Sequence, residues 1–198
     1  DQPMDLALTI YAFDYQTYIQ TIQVLPSTGP YIMVTETTFN DNDDNVFTAG
    51  ETILMGMALS NIGSEIASNV SVTLSSTDQY ITIINPVLNI GNIASGDASS
   101  IEDFQIQLAN NIPDEHLVEL TVTIATIDGD VFEYNRSFIV YAPLITWGAL
   151  QIDDSTGNNN GRIDAGENVT LTYTVTNSGH CNASDISTDI VIDGVPYL

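Results

Sequence analysis

Apolar residues alternate with Thr, Ser, Gln and Asn through one short run after another. Examples are Leu6-Ala7-Leu8-Thr9-Ile10, Asn69-Val70-Ser71-Val72-Thr73-Leu74, Phe104-Gln105-Ile106-Gln107-Leu108 and Leu120-Thr121-Val122-Thr123-Ile124. A period of two sends successive side chains to opposite faces, so each run has one face to bury and one to wet. Turn signals separate the runs: Ser27-Thr28-Gly29-Pro30, Ser95-Gly96-Asp97, Asp128-Gly129-Asp130 and Asp193-Gly194. No segment carries a helical period, and Ile112-Pro113-Asp114-Glu115-His116 is expected to form at most one helical turn between strands. The pattern predicts an all-β, antiparallel β-sandwich.

The chain also repeats itself. Gly50-Glu51-Thr52-Ile53-Leu54 through Asn61-Ile62-Gly63 matches Gly166-Glu167-Asn168-Val169-Thr170 through Asn177-Ser178-Gly179, an offset of 116 residues. The same offset carries Ala67 onto Ala183, Val70 onto Ile186 and Leu74 onto Ile190. The hairpin from Leu8 to Pro26 reads as a shorter version of Leu120 to Pro143, which places the two prolines 117 residues apart. Such a period implies a tandem array of domain-sized β modules. Residues 1–26 are then expected to be the terminal hairpin of one module, 27–142 a complete module and 143–198 the incomplete beginning of another. On this arithmetic the chain is an excerpt from a longer protein.

Charge narrows the partners. The 198 residues include 26 acidic side chains, two arginines (Arg136 and Arg162) and no lysine, for a formal charge of −24. Nucleic-acid binding and docking on anionic lipid both need basic residues to displace counterions, so both are excluded. No apolar run reaches the length of a membrane-spanning helix. With 43% hydrophobic and only 14% charged residues, the chain can build a core despite its acidity. A single cysteine, Cys181, allows neither an intramolecular disulfide nor the usual thiolate metal site.

The distinctive chemistry lies in two Asp/Asn runs just before the matched Gly-Glu pairs. The first is Asn40-Asp41-Asn42-Asp43-Asp44-Asn45-Val46-Phe47-Thr48-Ala49-Gly50-Glu51, and the second runs from Asp153 to Glu167. An EF-hand calcium loop sets oxygen ligands at alternate positions, a turn residue sixth, an apolar residue eighth and Glu twelfth. Asn40, Asn42, Asp44, Asn45, Phe47, Thr48 and Glu51 follow that spacing, as do Asn158, Asn160, Gly161, Ile163, Asp164 and Glu167. Thr156 stands at the leading position of the second loop, where Asp153 or Asp154 is expected to supply the missing ligand from slightly further away. Alternate oxygens around a tight turn can converge on one hard cation, and Asn tolerates the left-handed backbone that the turn needs. The expected ligands of a structural calcium ion are Asn40, Asn42, Asp44 and Glu51 in one loop, and Asp154, Asn158, Asn160, Asp164 and Glu167 in the other. The competing reading is structural: Asx-rich surface turns bond their own backbone without any metal, and no helices flank these loops.

Other candidates weigh less. His180-Cys181 is read as an incidental loop pair, because a nucleophile needs its base within hydrogen-bond reach. His116, beside Asp114 and Glu115, is read as a turn or packing residue. Trp147, Tyr141 and Tyr31 sit near module junctions, where aromatics fill seams or stack on sugars.

The Asp/Asn loop ending in Gly-Glu, the alternating strand to Asn-x-Gly, the stretch Leu88-Asn89-Ile90-Gly91-Asn92-Ile93-Ala94-Ser95-Gly96 and Ile112-Pro113-Asp114-Glu115-His116 together form a pattern. It resembles the immunoglobulin-like modules that follow the catalytic domain in gingipain-type cysteine peptidases of secreted Bacteroidetes proteins. It is also similar to the broader class of cell-adhesion-related bacterial domains. The resemblance implies tandem immunoglobulin-like β-sandwich modules in a secreted or cell-surface bacterial protein. It transfers no activity, since the catalytic Cys and His of that family belong to an upstream domain that nothing here matches. The expected role is a non-catalytic, calcium-stabilised spacer whose partners are other domains of the same polypeptide. The alternative is an adhesin-type module that binds a glycan or an extracellular protein.

Overall fold

The computed structural model describes residues 4–11, 13, 17–24 and 28–188. The boundary at Pro26, the match of Leu74 to Ile190 and the Asp193-Gly194 turn fall outside them. Among the described residues there is no helix. The expected helical turn at 112–116 is instead a pair of tight turns leading into a strand, with Glu115 at φ 56°. Two compact units are present, residues 1–112 with 117–140, and residues 113–116 with 141–198.

The first unit begins with a hairpin of β1 (Met4–Ile10) and β2 (Tyr18–Val24). Its register sets Leu6 opposite Ile22 and Ile10 opposite Tyr18, and this apolar face is exposed. The body of the unit is β3 (Ile32–Asn40), β4 (Thr52–Asn61), β5 (Ala67–Ser75), β6 (Ile81–Ile83), β7 (Val87–Ile93), β8 (Ala98–Leu108), β9 (His116–Ala125) and β10 (Val131–Val140). They form two four-stranded sheets, ordered β3-β4-β8-β6 and β10-β9-β5-β7. The inward residues of both sheets make one core: Ile53, Met55, Leu59, Phe104 and Ile106 from the first, and Val70, Val72, Leu74, Leu120, Val122 and Ile124 from the second. This is a β-sandwich-like architecture, produced by the alternation seen in the sequence. The alternation slips once in β4, where a bulge at Gly56 buries Met55, Gly56 and Met57 in succession. A Cβ at Gly56 would sit 2.7 Å from Thr38 Oγ1 and 3.1 Å from the Ile101 carbonyl, so glycine is needed there.

One open side of the sandwich is closed by side chains of β10 reaching β3. Tyr134 donates its hydroxyl to the Ile32 carbonyl at 2.5 Å, and Arg136 Nε donates to Thr37 Oγ1 at 2.8 Å. Phe132 meets Tyr31 edge-on at 5.3 Å, and Phe138 packs on Phe39 and Phe47 at 5.0 and 5.4 Å. Burial, reinforced by Tyr31, pushes the Tyr134 phenol well above its ordinary pKa, so it remains a donor at any physiological pH.

The corner where β3 begins and β4 ends is pinned by a fully buried Asn61. Its Oδ1 accepts the Tyr31 and Gly63 N–H groups, each at 3.1 Å. Its Nδ2 donates to the Glu65 and Ile93 carbonyls at 2.7 and 2.9 Å. Gly63 lies against Gly29-Pro30-Tyr31, where a Cβ would come within 2.3 Å of the Tyr31 nitrogen.

The second unit repeats this corner. Its strands are β11 (Ile145–Trp147), β12 (Gln151–Asp153), β13 (Thr170–Thr172) and β14 (Val175–Asn177), paired antiparallel as β11-β14 and β12-β13. Asn177 Oδ1 accepts the Leu144 and Gly179 N–H groups at 3.0 and 3.1 Å, and Gly179 packs on Ala142-Pro143-Leu144. Pro30 therefore occupies the structural place of Pro143. Ile32 pairs with Asn61 as Ile145 pairs with Asn177, and Asn40 pairs with Leu54 as Asp153 pairs with Thr170. Replacing Asn61 by Ala would remove four buried or partly buried hydrogen bonds to the backbone, so a loss of about 3 kcal/mol is expected in urea unfolding. Asn177→Ala, at the exposed copy of the corner, should cost less than about 1 kcal/mol. Equal losses would contradict the burial argument.

Candidate metal-binding loops

Both Asp/Asn runs fall within hairpins beyond the last paired positions, residues 41–53 between Asn40 and Leu54 of the β3–β4 pair and residues 154–169 between Asp153 and Thr170 of the β12–β13 pair. Both close in the same way. Gly50 and Gly166 have φ of 88° and 82°. The Glu51 amide donates to the Thr48 carbonyl while Glu51 Oε2 accepts the Thr48 N–H at 2.8 Å. In the second loop the Glu167 amide donates to the Asp164 carbonyl and Oε2 accepts the Asp164 N–H at 3.3 Å. Each glutamate thus braces its own turn.

In the first loop the side chains serve mostly as turn acceptors. Asn40 Oδ1 takes the Asn42 N–H at 2.6 Å, and Asp44 Oδ1 takes the Val46 N–H at 2.8 Å. The hub is Asp41, whose Oδ1 accepts the Asp43 and Asn45 N–H groups at 2.8 and 3.1 Å. Asn42 and Asn45 adopt left-handed φ of 67° and 61°, which Asn tolerates and the turn demands. Asp41 Oδ2 is buried and has no hydrogen-bond partner. Phe47 anchors the loop through its contacts with Phe39 and Phe138, and Gln107 Nε2 holds its end by donating to the Gly50 and Glu51 carbonyls.

The second loop links four of its five candidates, Asn158, Asn160, Asp164 and Glu167, in one network, and the fifth, Asp154, holds the loop backbone. Asn158 Nδ2 and Asn160 Nδ2 both donate to Asp164 Oδ2 at 2.7 Å. Those two hydrogen bonds hold the Asp164 carboxyl below its ordinary pKa. Hydrogen bonds from Ser155 do the same for Asp153. Glu167 Oε1 accepts the Asn158 N–H at 2.7 Å. Asp154, only 3% exposed, accepts the Gly161 N–H on Oδ2 at 2.9 Å. A cleft of about 370 Å³ is lined by Thr156, Gly157, Asn158 and Asp164 through Asn168. Ile163 stays exposed, unlike Phe47 at the matching position.

Register, counted from the strands, makes Asp41 and Asp154 equivalent, each the first residue after the last paired position. Spacing from the closing glutamates does not reveal this equivalence, because the second loop is three residues longer. Counting from β3 and β12 instead would have placed Asp41 among the candidates. Among the described residues, no three His, Cys, Asp or Glu side chains form a group that could hold a metal ion. Any ion here would rely on Asn and backbone oxygens beside the carboxylates, a mixed set that calcium accepts. In the His180-Cys181 pair, His180 turns to Asp114, and the Cys181 carbonyl accepts Asn177 Nδ2 at 2.7 Å.

No family model and no curated protein matches this chain. Among solved structures it is similar to trypsin-activated alpha-2-macroglobulin from Escherichia coli, with a TM-score of 0.40 and 11% identity over 77% of this chain. The chain spans 11% of that protein's length.

A Cβ at Gly157 would lie 1.7 Å from Glu167 Oε1, so Gly157→Ala must push the carboxylate away and break its bond to the Asn158 amide. The Asn158 and Asp164 amide resonances should shift strongly, and those of Asn42 and Thr48 should not. A second loop unmoved by the substitution would refute this account of the network.

Proposed function

We propose that the chain is a non-catalytic spacer of tandem immunoglobulin-like β-sandwich modules in a secreted or cell-surface protein. Calcium stiffens the loop between the first two strands of each module. The observation that carries this reading is the recurrence of one hairpin with an aspartate at the same register, Asp41 in one unit and Asp154 in the other, Asp154 being buried and Asp41 retaining a buried oxygen with no partner. A carboxylate oxygen buried without a partner is costly, and a bound cation would satisfy it. The chain has only two arginines, and a calcium ion supplies the missing charge through oxygen ligands. Asp41 and Asp154 would lead the two ligand sets, with Asn42, Asp44 and Glu51 following in one, and Asn158, Asn160, Asp164 and Glu167 in the other.

The repeated corner and register support the tandem arrangement, and the acidity suits a solvated connector. The adhesin alternative is weaker because Tyr31 is buried and Trp147 matches an inward-facing position of the first unit. Trp147, 62% exposed, pairs with Tyr173 at 5.9 Å. The positions matching them in the first unit are Val34 and Met57; Met57 is in its core and Val34 packs against it.

Calorimetric titration of chelator-treated protein should show saturable calcium binding with a raised melting midpoint. Asp41→Asn should lower the calcium-bound midpoint by about 2–4 °C for each kcal/mol of lost binding. In chelator the same change should leave the midpoint unchanged or raise it, because Asn keeps an Oδ1 acceptor for the Asp43 and Asn45 amides and removes one charge from an acidic loop. Absence of both heat and shift, or an equal loss with and without calcium, would overturn the metal assignment.

A further inference from the structure

The second unit takes in the four residues Pro113–His116 together with residues 141–198. Within it, Asp114 is a hub. Its Oδ1 accepts the Ala142 N–H at 2.9 Å and the His180 N–H at 3.4 Å, and its Oδ2 lies 2.8 Å from His180 Nδ1. Glu115 Oε1 stands 3.7 Å from the other ring nitrogen, Nε2. The Tyr141 ring lies beside the imidazole at 5.4 Å. Each nitrogen of His180 therefore faces a carboxylate, with the Tyr141 phenol ring as a further titratable neighbour. Glu115 is held there at φ 56°, a left-handed conformation uncommon for a residue of its kind. The Asp114 side chain is 12% exposed and that of His180 52%.

We propose that His180, Asp114 and Glu115 form a pH-gated clasp that keeps the Pro113–His116 turn within the second unit, tight when the imidazole is protonated and slack when it is neutral. A protonated imidazole donates from both nitrogens and carries a charge toward both carboxylates; a neutral one has a single N–H and no charge. The hydrogen bond and charge of Asp114, with a smaller contribution from Glu115, raise the pKa of His180. Asp114 is lowered in turn, first by the Ala142 amide and then by His180. The contribution of His180 is complete below the ordinary histidine value and is lost as pH rises through the raised one. The contribution of Asp114 is present above the ordinary aspartate value and is lost as pH falls through the lowered one. The clasp is thus strongest in the mildly acidic range between them. It is independent of the calcium loops.

The test is amide hydrogen exchange on the whole chain, normalised for intrinsic rates, at about pH 5.5 and about pH 8. Protection of the Ala142 and His180 amides, both donors to Asp114, should fall about two- to five-fold between the two, the range expected of an exposed ion pair. In His180→Gln the fall should vanish, with protection at or below the alkaline wild-type level; in His116→Gln it should persist. Protection that ignores pH in the wild type, or an equal fall in His180→Gln, would overturn the clasp. Should His180→Gln fold poorly, the imidazole proton resonances of the wild type decide: a midpoint above about 6.5 supports the clasp, and one at or below it refutes it.

Discussion

The pairing of β3 with β4 is held at both ends by side chains bonded to backbone groups. At one end Asn61 satisfies four main-chain groups inside the protein; at the other Glu51 braces the turn that returns the chain into β4. A slip of one residue between these strands would turn Ile53, Met55 and Leu59 out of the core and bring polar neighbours in. Two fixed ends make that slip unavailable, and β8, β6 and the opposing sheet assemble on the register so defined. The hairpins of the second unit carry the same two pins, with the asparagine exposed.

The seam between β3 and β10 is a different solution to an edge. No backbone ladder joins these strands; alternate side chains of β10 cross to β3 as an aromatic, a phenol, a guanidinium and another aromatic. Arg136, one of two arginines in the chain, serves here, stacked over Tyr134 at 5.8 Å and bonded to Thr37. Cation–π and phenol–carbonyl contacts close the side without offering a bare strand edge for a neighbour to extend.

Much of the architecture was legible in the sequence because it follows from a period of two: strands such as β5, β8 and β9 bury the residues that the alternation designates. The bulge at Gly56 was not legible, because a bulge depends on what the partner strand does. The expected helical turn at 112–116 gave way to turns because Asp114 bonds Ala142 and His180 instead of its own local backbone. In the loops, the residue types and the glutamates could be read directly. The leading role of Asp41 could not, since it depends on a register set by strand pairing and not on spacing from Glu51. His180 and Asp114 are 66 residues apart, and nothing local in either stretch announces the contact.

The two loops differ by three residues while the positions that bound them pair identically. Extending a closed loop from thirteen to sixteen residues adds only about 0.2 kcal/mol of closure entropy. With register secured elsewhere, this segment can gain or lose residues at almost no thermodynamic penalty. It is the site at which successive copies of the hairpin are freest to diverge, so differences among copies should concentrate there while the corner and the closing Gly-Glu stay constant.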